Sequence, residues 1–220
     1  MSQEQTDECV YMKKPSSEPS FFIDSLPDIP GTERRNLIRA IHIDASPQDI
    51  FLWLKQLRVA PYSYDFIDNL RRKSPGFLIE NLPPLKINTH FLLAFHISEF
   101  EEGSFIVCRY CEPVNSPFSL CLRAMYIEYR IAENYRETRL WCKVSGYIRP
   151  NALSGFFFSA FSLANKIMMT KQLKNIRKYS ELTSAGKIGI GRFNFSDYCQ
   201  GSGLHWWIFC RRHGCKGLLA

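Results

Sequence analysis

A group of polar side chains capable of chemistry lies within eight residues of the sequence. Its members are Tyr62, Tyr64, Asp65, Asp68 and Asn69. Carboxylates three residues apart lie on one face of a helix, where they could hold a ligand amine or hydroxyl and one could act as a general base. The alternative is structural, because Asp65 and Asp68 could instead pair with Arg71 and Arg72. We predict ligand contacts here, with Asp65 or Asp68 as the base if the protein is an enzyme.

A single arginine interrupts an apolar strand pattern further along the chain. Arg123 shares its alternate-residue register with Met125 and Ile127, and alternate residues of a strand point to the same face. A polar group buried there without a partner costs about 1–3 kcal/mol. Arg123 could therefore pair with a ligand carboxylate, or it lies in water at the end of its strand.

The remaining chemical motifs argue against a metal or cofactor. Cys108 and Cys111 have CxxC spacing, but residues three apart in a strand point to opposite faces. The tail contains four possible zinc ligands, but their spacings do not match the paired spacing of known zinc sites. These residues are His205, Cys210, His213 and Cys215. Phosphate-binding, nucleophile-elbow and dinucleotide-binding patterns do not occur. We predict no metal and no cofactor.

Composition and charge indicate a soluble globular protein. Of the 220 residues, 45% are hydrophobic and 22% are charged, which is enough apolar material for one sizeable core. The net charge is +7, but the residues after position 183 hold five Lys and Arg against one Asp. Because the charge is concentrated in this tail and no recognition motif is present, we predict no nucleic-acid partner.

Membrane contact is expected only at the periphery. The longest apolar stretch, residues 152–169, is interrupted by three serines, Asn165 and Lys166, so no transmembrane segment is predicted. Trp206 and Trp207 lie near basic residues in the tail and could contact a membrane surface. The polar, acidic start of the sequence has no secretory pattern, and a cytoplasmic location with reduced cysteines is expected.

Hydrophobic periodicity predicts an α+β domain. A strand over residues 36–45 leads into a helix over 47–57, with Ser46 as its cap and Pro47 at its first position. Apolar alternation then predicts four strands joined by short polar turns, at residues 89–100, 105–111, 120–132 and 138–147. A long helix over residues 152–182 completes the domain.

Three regions follow from this reading. Residues 1–35 are predicted to be a mobile leader, although the apolar residues 21–23 could dock on the domain. Residues 36–183 form the domain, and residues 184–220 are a glycine-rich basic tail predicted to be poorly ordered.

The order of elements predicts a helix-grip fold, in which a curved antiparallel sheet wraps around the long C-terminal helix. Such a sheet leaves an apolar cavity beneath the helix, and a cavity of that kind is a common ligand site. The residues predicted to line it, besides the polar group and Arg123, are Leu92, Phe95, Met125, Ile127, Tyr129, Leu140, Phe157, Ala160, Phe161 and Ala164.

The sequence also resembles a known superfamily. Residues 43–54, with Ala45, Pro47 and Trp53, are similar to the opening of the SRPBCC (START/polyketide cyclase/Bet v 1-like) superfamily. The segment APYSYDFIDN at residues 60–69 resembles a bacterial subgroup, from which it departs at Phe66, where the subgroup has tryptophan. The resemblance covers about residues 36–183 and implies the fold and a cavity, but no particular reaction.

Three functions remain open from the sequence. The first is the binding of a small hydrophobic ligand, such as a lipid, a polyketide-like compound or an aromatic compound. The second is a cyclase, dehydratase or hydrolase that uses the same cavity and an aspartate base. The third is a structural module whose interior is filled by its own phenylalanine side chains. The oligomeric state cannot be read from the sequence.

Overall fold

The computed structural model describes residues 18–63, 74–92, 95–110, 120–134 and 137–193. In chain order, the helices and strands are β1 (Glu33–Ile43), α1 (Pro47–Gln56), β2 (Leu78–Ile79), β3 (His90–Phe91), β4 (Phe95–Glu101), β5 (Phe105–Tyr110), β6 (Leu122–Asn134), β7 (Glu137–Ile148), α2 (Ala152–Ser184) and β8 (Ile190–Gly191). A 3-10 turn, Phe22–Ser25, precedes β1.

Six strands form one curved antiparallel sheet in the order β1-β7-β6-β5-β4-β3. Strands β3 to β7 lie beside their sequence neighbours, as short connections favour, whereas β1 crosses to pair with β7. Both helices pack on one face of this sheet, which we call the inner face. The predicted α+β helix-grip fold is confirmed.

Strand register places the inner-face residues in rows that cross the sheet. The polar row contains, from β1 to β4, Arg39, Cys142, Tyr129, Ile106 and Phe100. The middle row contains, in the same direction, Leu37, Val144, Ile127, Cys108 and Ile97. The aromatic row, which lies nearest the start of α2, contains Gly146, Met125, Tyr110 and Phe95.

Side-chain caps fix the beginning of each helix. The Ser46 hydroxyl accepts a hydrogen bond from the Asp49 N–H at 3.1 Å, and the Asn151 side-chain oxygen accepts one from the Ser154 N–H at 2.8 Å. These bonds satisfy donors that lack a partner within the helix. The Ser154 hydroxyl also donates to the Cys121 carbonyl at 3.3 Å, which ties the start of α2 to the chain just before β6.

The opposite, outer face of the sheet is covered by the segment before β1. Phe21 and Ile23 are buried in a cluster with Val107 and Trp141. The fully buried Glu128 carboxylate accepts hydrogen bonds from the N–H groups of Phe22 and Ile23, at 3.1 and 3.0 Å. Residues 21–23 therefore dock on the sheet, as the sequence analysis allowed, and residues 33–35, which were assigned to a leader outside the domain, begin β1. Residues 1–17 lie outside the described part of the chain.

Two further predictions differ from the structure. The single strand predicted at residues 89–100 is a hairpin of β3 and β4, and the break falls beside Leu92, whose φ of 46° is left-handed. The predicted tail contributes β8, which pairs in parallel with β2 in a small second sheet. The periodicity missed both features because strands of two residues are too short to alternate visibly.

Glu128→Ala tests the anchoring of the N-terminal segment. The change leaves two N–H groups without acceptors and removes the ion pair with Arg130, whose Nε lies 2.7 Å from the carboxylate. We expect the free energy of unfolding to fall by about 2–4 kcal/mol and amide exchange at Phe22 and Ile23 to accelerate. Glu133→Ala, an exposed position on the same strand, is the control. Equal effects of the two changes would contradict this account.

Candidate functional site

The polar row brings three functional groups together on an apolar face. Tyr129 pairs with Cys142, and Cys142 pairs with Arg39, on three adjacent strands. Side chains paired across antiparallel strands lie on the same face. The neighbouring residues of the face, such as Leu140 and Val144, are buried and apolar. The inner face thus has one line along which a ligand could meet hydrogen-bonding and charged groups.

A buried hydrogen-bond chain connects this row to α2. The Tyr129 hydroxyl donates to the Gln172 side-chain oxygen at 2.6 Å, and the Gln172 amide donates to the Pro61 carbonyl at 2.6 Å. Both side chains are buried. Burial, followed by the nearby thiols of Cys142 and Cys108, raises the pKa of Tyr129 well above its usual value. Tyr129 is therefore a neutral donor rather than a phenolate.

The thiol beside Tyr129 is also neutral. Burial raises the pKa of Cys142 well above that of an ordinary thiol, and the hydrogen bond with Tyr129 and the charge of Arg39 only partly oppose this effect. Burial likewise raises the pKa of Cys108. Because the thiolate is the nucleophilic form of cysteine, neither residue is suited to nucleophilic catalysis in this structure.

Arg39 is the charged member of the polar row. Its position on β1 between the inward-facing Leu37 and Ile41 directs it to the inner face, where its charge acts on Cys142. The side chain is half-buried and its Nε is buried. Among the described residues no side chain or carbonyl accepts a hydrogen bond from this Nε. A guanidinium in this setting favours a carboxylate or another anionic acceptor.

Half-buried rings surround the aromatic row at the other end of the inner face. The Phe95 and Tyr110 rings meet edge to face with centroids 5.7 Å apart. Phe158 of α2 crosses over Gly146, where a Cβ atom would lie 3.1 Å from the Phe158 ring, so the helix approaches the sheet closely there. Phe161 contacts Phe158 and stacks on Phe157. These rings offer apolar contacts that remain partly open to solvent.

The spacing of the rows sets the scale of the site. Successive rows on one face are two residues apart, and each strand residue advances about 3.3 Å. The aromatic row and the polar row are therefore separated by about 13 Å, with the middle row between them. A molecule of two or three fused rings, or a short acyl chain, matches that length.

An aromatic cluster holds the chain on either side of residues 64–73. The Tyr62 hydroxyl donates to the Pro75 carbonyl at 3.0 Å, and its ring packs edge to face against Trp53 and Tyr179. The Asn175 amide of α2 donates to the Tyr62 carbonyl at 2.8 Å. Tyr62 adopts a left-handed φ of 52°, a strained conformation for a bulky residue. These contacts hold both flanks of the segment beside α2.

The predicted site residues divide into four groups. Those on the inner face or packed against its core are Leu92, Phe95, Met125, Ile127, Tyr129, Leu140 and Phe161. Phe157 is half-buried against Phe161, and Tyr62 is buried with the contacts described above. The residues that lie outside the described part of the chain are Tyr64, Asp65, Asp68 and Asn69.

Three predicted site residues lie away from the inner face. Arg123 is exposed at a β-bulge between Leu122 and Ala124, which interrupts the alternation used to place it inward. Ala160 and Ala164 are exposed because the buried side of α2 follows Met169, Leu173 and Ile176 instead. The prediction that Ala160 and Ala164 line the interior was therefore wrong, because both lie on the solvent side of α2.

Arg39 and Gln172 are the functional candidates that the sequence analysis missed. Arg39 interrupts the alternating apolar residues of β1, and this signal resembles the one that drew attention to Arg123. Gln172 interrupts the buried stripe of α2 between Met169 and Leu173. Among the described residues, no cluster of His, Cys, Asp or Glu is arranged to hold a metal ion.

Comparison with known proteins gives weak similarities to solved structures. No protein-family model matches the chain, and no curated protein does. Truncated norcoclaurine synthase from Thalictrum flavum is 12% identical over 69% of this chain and 96% of its own, with a TM-score of 0.41. Ara h 8.0201 is 12% identical over 67% and 98%, with a TM-score of 0.38.

A third similarity is to the di-domain ARO/CYC StfQ from the steffimycin biosynthetic pathway. It is 11% identical over 69% of this chain, with a TM-score of 0.39. The match covers 52% of that protein, so this chain spans about half its length.

The raised pKa of Cys142 predicts a pH-dependent stability. An ordinary thiol has a pKa of 9.0, so above pH 9 the unfolded chain loses a proton that the folded chain retains. The contribution of this thiol to folding is present below that pH and is lost as the pH rises. The free energy of unfolding, measured by urea unfolding at a series of alkaline pH values, should therefore fall less steeply in Cys142→Ala than in the wild-type protein. The difference in slope should be about 1.4 kcal/mol per pH unit above pH 9.

Val144→Ala is the matched control for this prediction, because it shortens a buried side chain on the same strand without removing a titrating group. It should keep the wild-type pH slope at a lower overall stability. A wild-type slope in Cys142→Ala as well would show that the thiol ionises equally in both states.

Proposed function

We propose that the protein binds a small, mostly apolar molecule with one anionic end, between the inner face and α2, with its apolar body under the first half of the helix and its anionic end at Arg39. The observation that supports this proposal is Arg39, which faces the apolar inner face and whose buried Nε has no acceptor among the described residues. The aromatic row, about 13 Å away, would hold the apolar body of the ligand. The motifs at residues 43–54 and 60–69, together with the strand order, support membership of the SRPBCC superfamily.

The two ends of the proposed site would contribute differently to binding. Burial of the ligand body against Phe95, Phe158 and Phe161 would give affinity in proportion to the apolar area removed from water, at about 25 cal/mol per Å². A carboxylate or sulfonate against Arg39 would add charge-assisted hydrogen bonds. A neutral ligand would gain the first contribution only. The proposed ligand class is therefore an aromatic, polyketide-like or fatty acid rather than a neutral lipid.

Paired fluorescent probes test this selectivity. 8-Anilinonaphthalene-1-sulfonate and N-phenyl-1-naphthylamine share an aromatic body, but only the first carries a sulfonate. We expect Arg39→Gln to weaken binding of the sulfonate probe at least tenfold, since a hydrogen bond to a charged group contributes about 1.5–3 kcal/mol. Binding of the neutral probe should change little. Fluorescence titration measures both affinities.

Arg123→Gln is the control, because it removes the same charge from an exposed position. It should leave both affinities unchanged. Equal weakening by the two arginine variants would indicate a general charge effect and would remove Arg39 from the site. Failure of both probes to bind the wild-type protein would favour a structural module with a filled interior.

Catalysis in the same space is the second candidate function. The observation in its favour is that both flanks of residues 64–73 are held beside α2, by Tyr62, Pro75 and Asn175. Tyr62 also lies next to Pro61, whose carbonyl accepts a hydrogen bond from Gln172, the residue that connects the polar row to α2. Asp65 or Asp68 would then act as a base on a ligand held by the polar row, in a cyclisation, dehydration or hydrolysis.

Asp68→Asn separates binding from catalysis. For an enzyme, this isosteric change should abolish conversion of a bound compound while its dissociation constant changes less than about threefold, because the base acts in the transition state. Compounds that displace the sulfonate probe supply the substrates, and mass spectrometry detects the products. Asp49→Asn, at the exposed start of α1, is the control. If no displacing compound is converted by the wild-type protein, binding alone remains.

A further inference from the structure

The outward side of α2 has an apolar stripe over its first half. Leu153, Phe156, Leu163 and Ile167 are 57%, 75%, 63% and 51% exposed. With the exposed Ala160 they recur at alternating spacings of three and four residues, which places them on one face of the helix. One 18-residue stretch of α2 is apolar enough for a membrane span, and only 11% of it is buried.

This stripe lies opposite the part of α2 that packs on the sheet. The buried face of the helix follows Ser154, Met169, Leu173 and Ile176, which are about half a turn away from the stripe at 3.6 residues per turn. A small rotation of α2 about its axis would therefore not bring the stripe into contact with the sheet. The buried second half anchors α2 to the domain, so the exposed first half lies on the surface of the folded protein.

The same outward face becomes basic towards the end of the helix. Lys171, Lys174 and Lys178 continue the spacing of the apolar stripe. Lys166 and Arg177 lie beside them, and no Asp or Glu occurs from residue 152 to residue 180. Glu181, the first acidic residue, contacts Arg177 at 2.9 Å and accepts from the Asp44 N–H. The face therefore joins exposed apolar side chains to a strong positive charge.

We infer that this face of α2 docks the protein on the surface of an anionic lipid bilayer. The apolar stripe would enter the boundary between headgroups and acyl chains, and the lysines would contact lipid phosphates, as in amphipathic interfacial helices. A second copy of α2 would bring no Asp or Glu from residues 152–180 to pair with these lysines, whereas lipid phosphates would. This inference is independent of the proposed ligand and of the tail residues Trp206 and Trp207.

Vesicle co-sedimentation of the full chain tests the inference. The probes are vesicles of phosphatidylcholine alone and of phosphatidylcholine with phosphatidylglycerol in equal amounts. We expect binding to the anionic vesicles that weakens as salt concentration rises. Phe156→Ser with Leu163→Ser should reduce the partition coefficient at least about tenfold, because two large apolar side chains no longer enter the bilayer.

Matched variants separate this face from general surface properties. Ile87→Ser with Ile190→Ser removes two exposed apolar residues elsewhere, which are 50% and 72% exposed, and should leave partitioning unchanged. Lys171→Gln with Lys174→Gln should reduce binding to anionic vesicles about 25-fold, at about fivefold per lysine. Lys86→Gln with Lys187→Gln, which removes the same charge from exposed sites outside the outward face of α2, should have a much smaller effect.

Four outcomes would overturn the inference. The first is that the wild-type chain does not bind anionic vesicles, and the second is that the stripe variants and the control variants have equal effects. The third is that binding is lost only in Trp206→Ser with Trp207→Ser. The fourth is that analytical ultracentrifugation shows a dimer, which Phe156→Ser with Leu163→Ser dissociates. The substituted side chains of the stripe are exposed, so we expect the thermal unfolding midpoint to stay unchanged and to confirm that these variants fold.

Discussion

The anchoring of the second half of α2 determines the arrangement of the whole inner face. Gln172 joins the helix to Tyr129 of the sheet and to Pro61, and Asn175 joins it to Tyr62. Near the end of the helix the Trp53 ring stacks on Tyr179 at 4.7 Å, and its N–H donates to the Thr183 hydroxyl at 2.9 Å. Leu173 and Ile176 fill the space between these bonds. The first half of α2 has much less support and meets the sheet chiefly through Phe158 and Ser154.

The two halves of α2 differ in their contribution: the second half stabilises the domain, and the first half is the part used by the proposed binding functions. The anchored half has satisfied polar groups and buried apolar side chains, which is how a stable core is built. The less supported half presents half-buried rings inward and apolar side chains outward. Sites that bind molecules are commonly drawn from such weakly packed regions, because fewer native contacts must be disturbed. Ligand binding and membrane docking, as proposed, would use opposite sides of the same helical segment.

The fold could be predicted from the sequence because its signals are local. Ser46 and Asn151 mark helix starts, and alternation over ten or more residues identifies β1, β6 and β7. The site was predicted less well because it depends on relations between distant residues. The polar row exists only through the register of three strands, and a single bulge beside Arg123 changes which side chains face inward.

Helix phase explains the other errors of the sequence analysis. α2 contains two apolar stripes, and composition alone does not say which one meets the sheet. Ala160 and Ala164 were predicted to line the interior together with Phe157 and Phe161, but the buried face of α2 follows Met169, Gln172 and Leu173, which leaves both alanines on the solvent side. The decisive constraint is the hydrogen bond between Gln172 and Tyr129, residues separated by 43 positions in the chain.

The segment on the outer face has a consequence for the order in which the chain assembles. Phe22 and Ile23 are made early, but their acceptor Glu128 lies 106 and 105 positions later. Contacts of such long sequence separation form late in folding, because closing a long loop is entropically costly. In the folded protein Phe21 and Ile23 cover Trp141 and Val107, so this part of the outer face is buried only when the N-terminal segment is in place. The segment before β1 therefore joins the sheet across a sequence separation similar to that of the β1–β7 pairing, so both depend on strands from the second half of the chain.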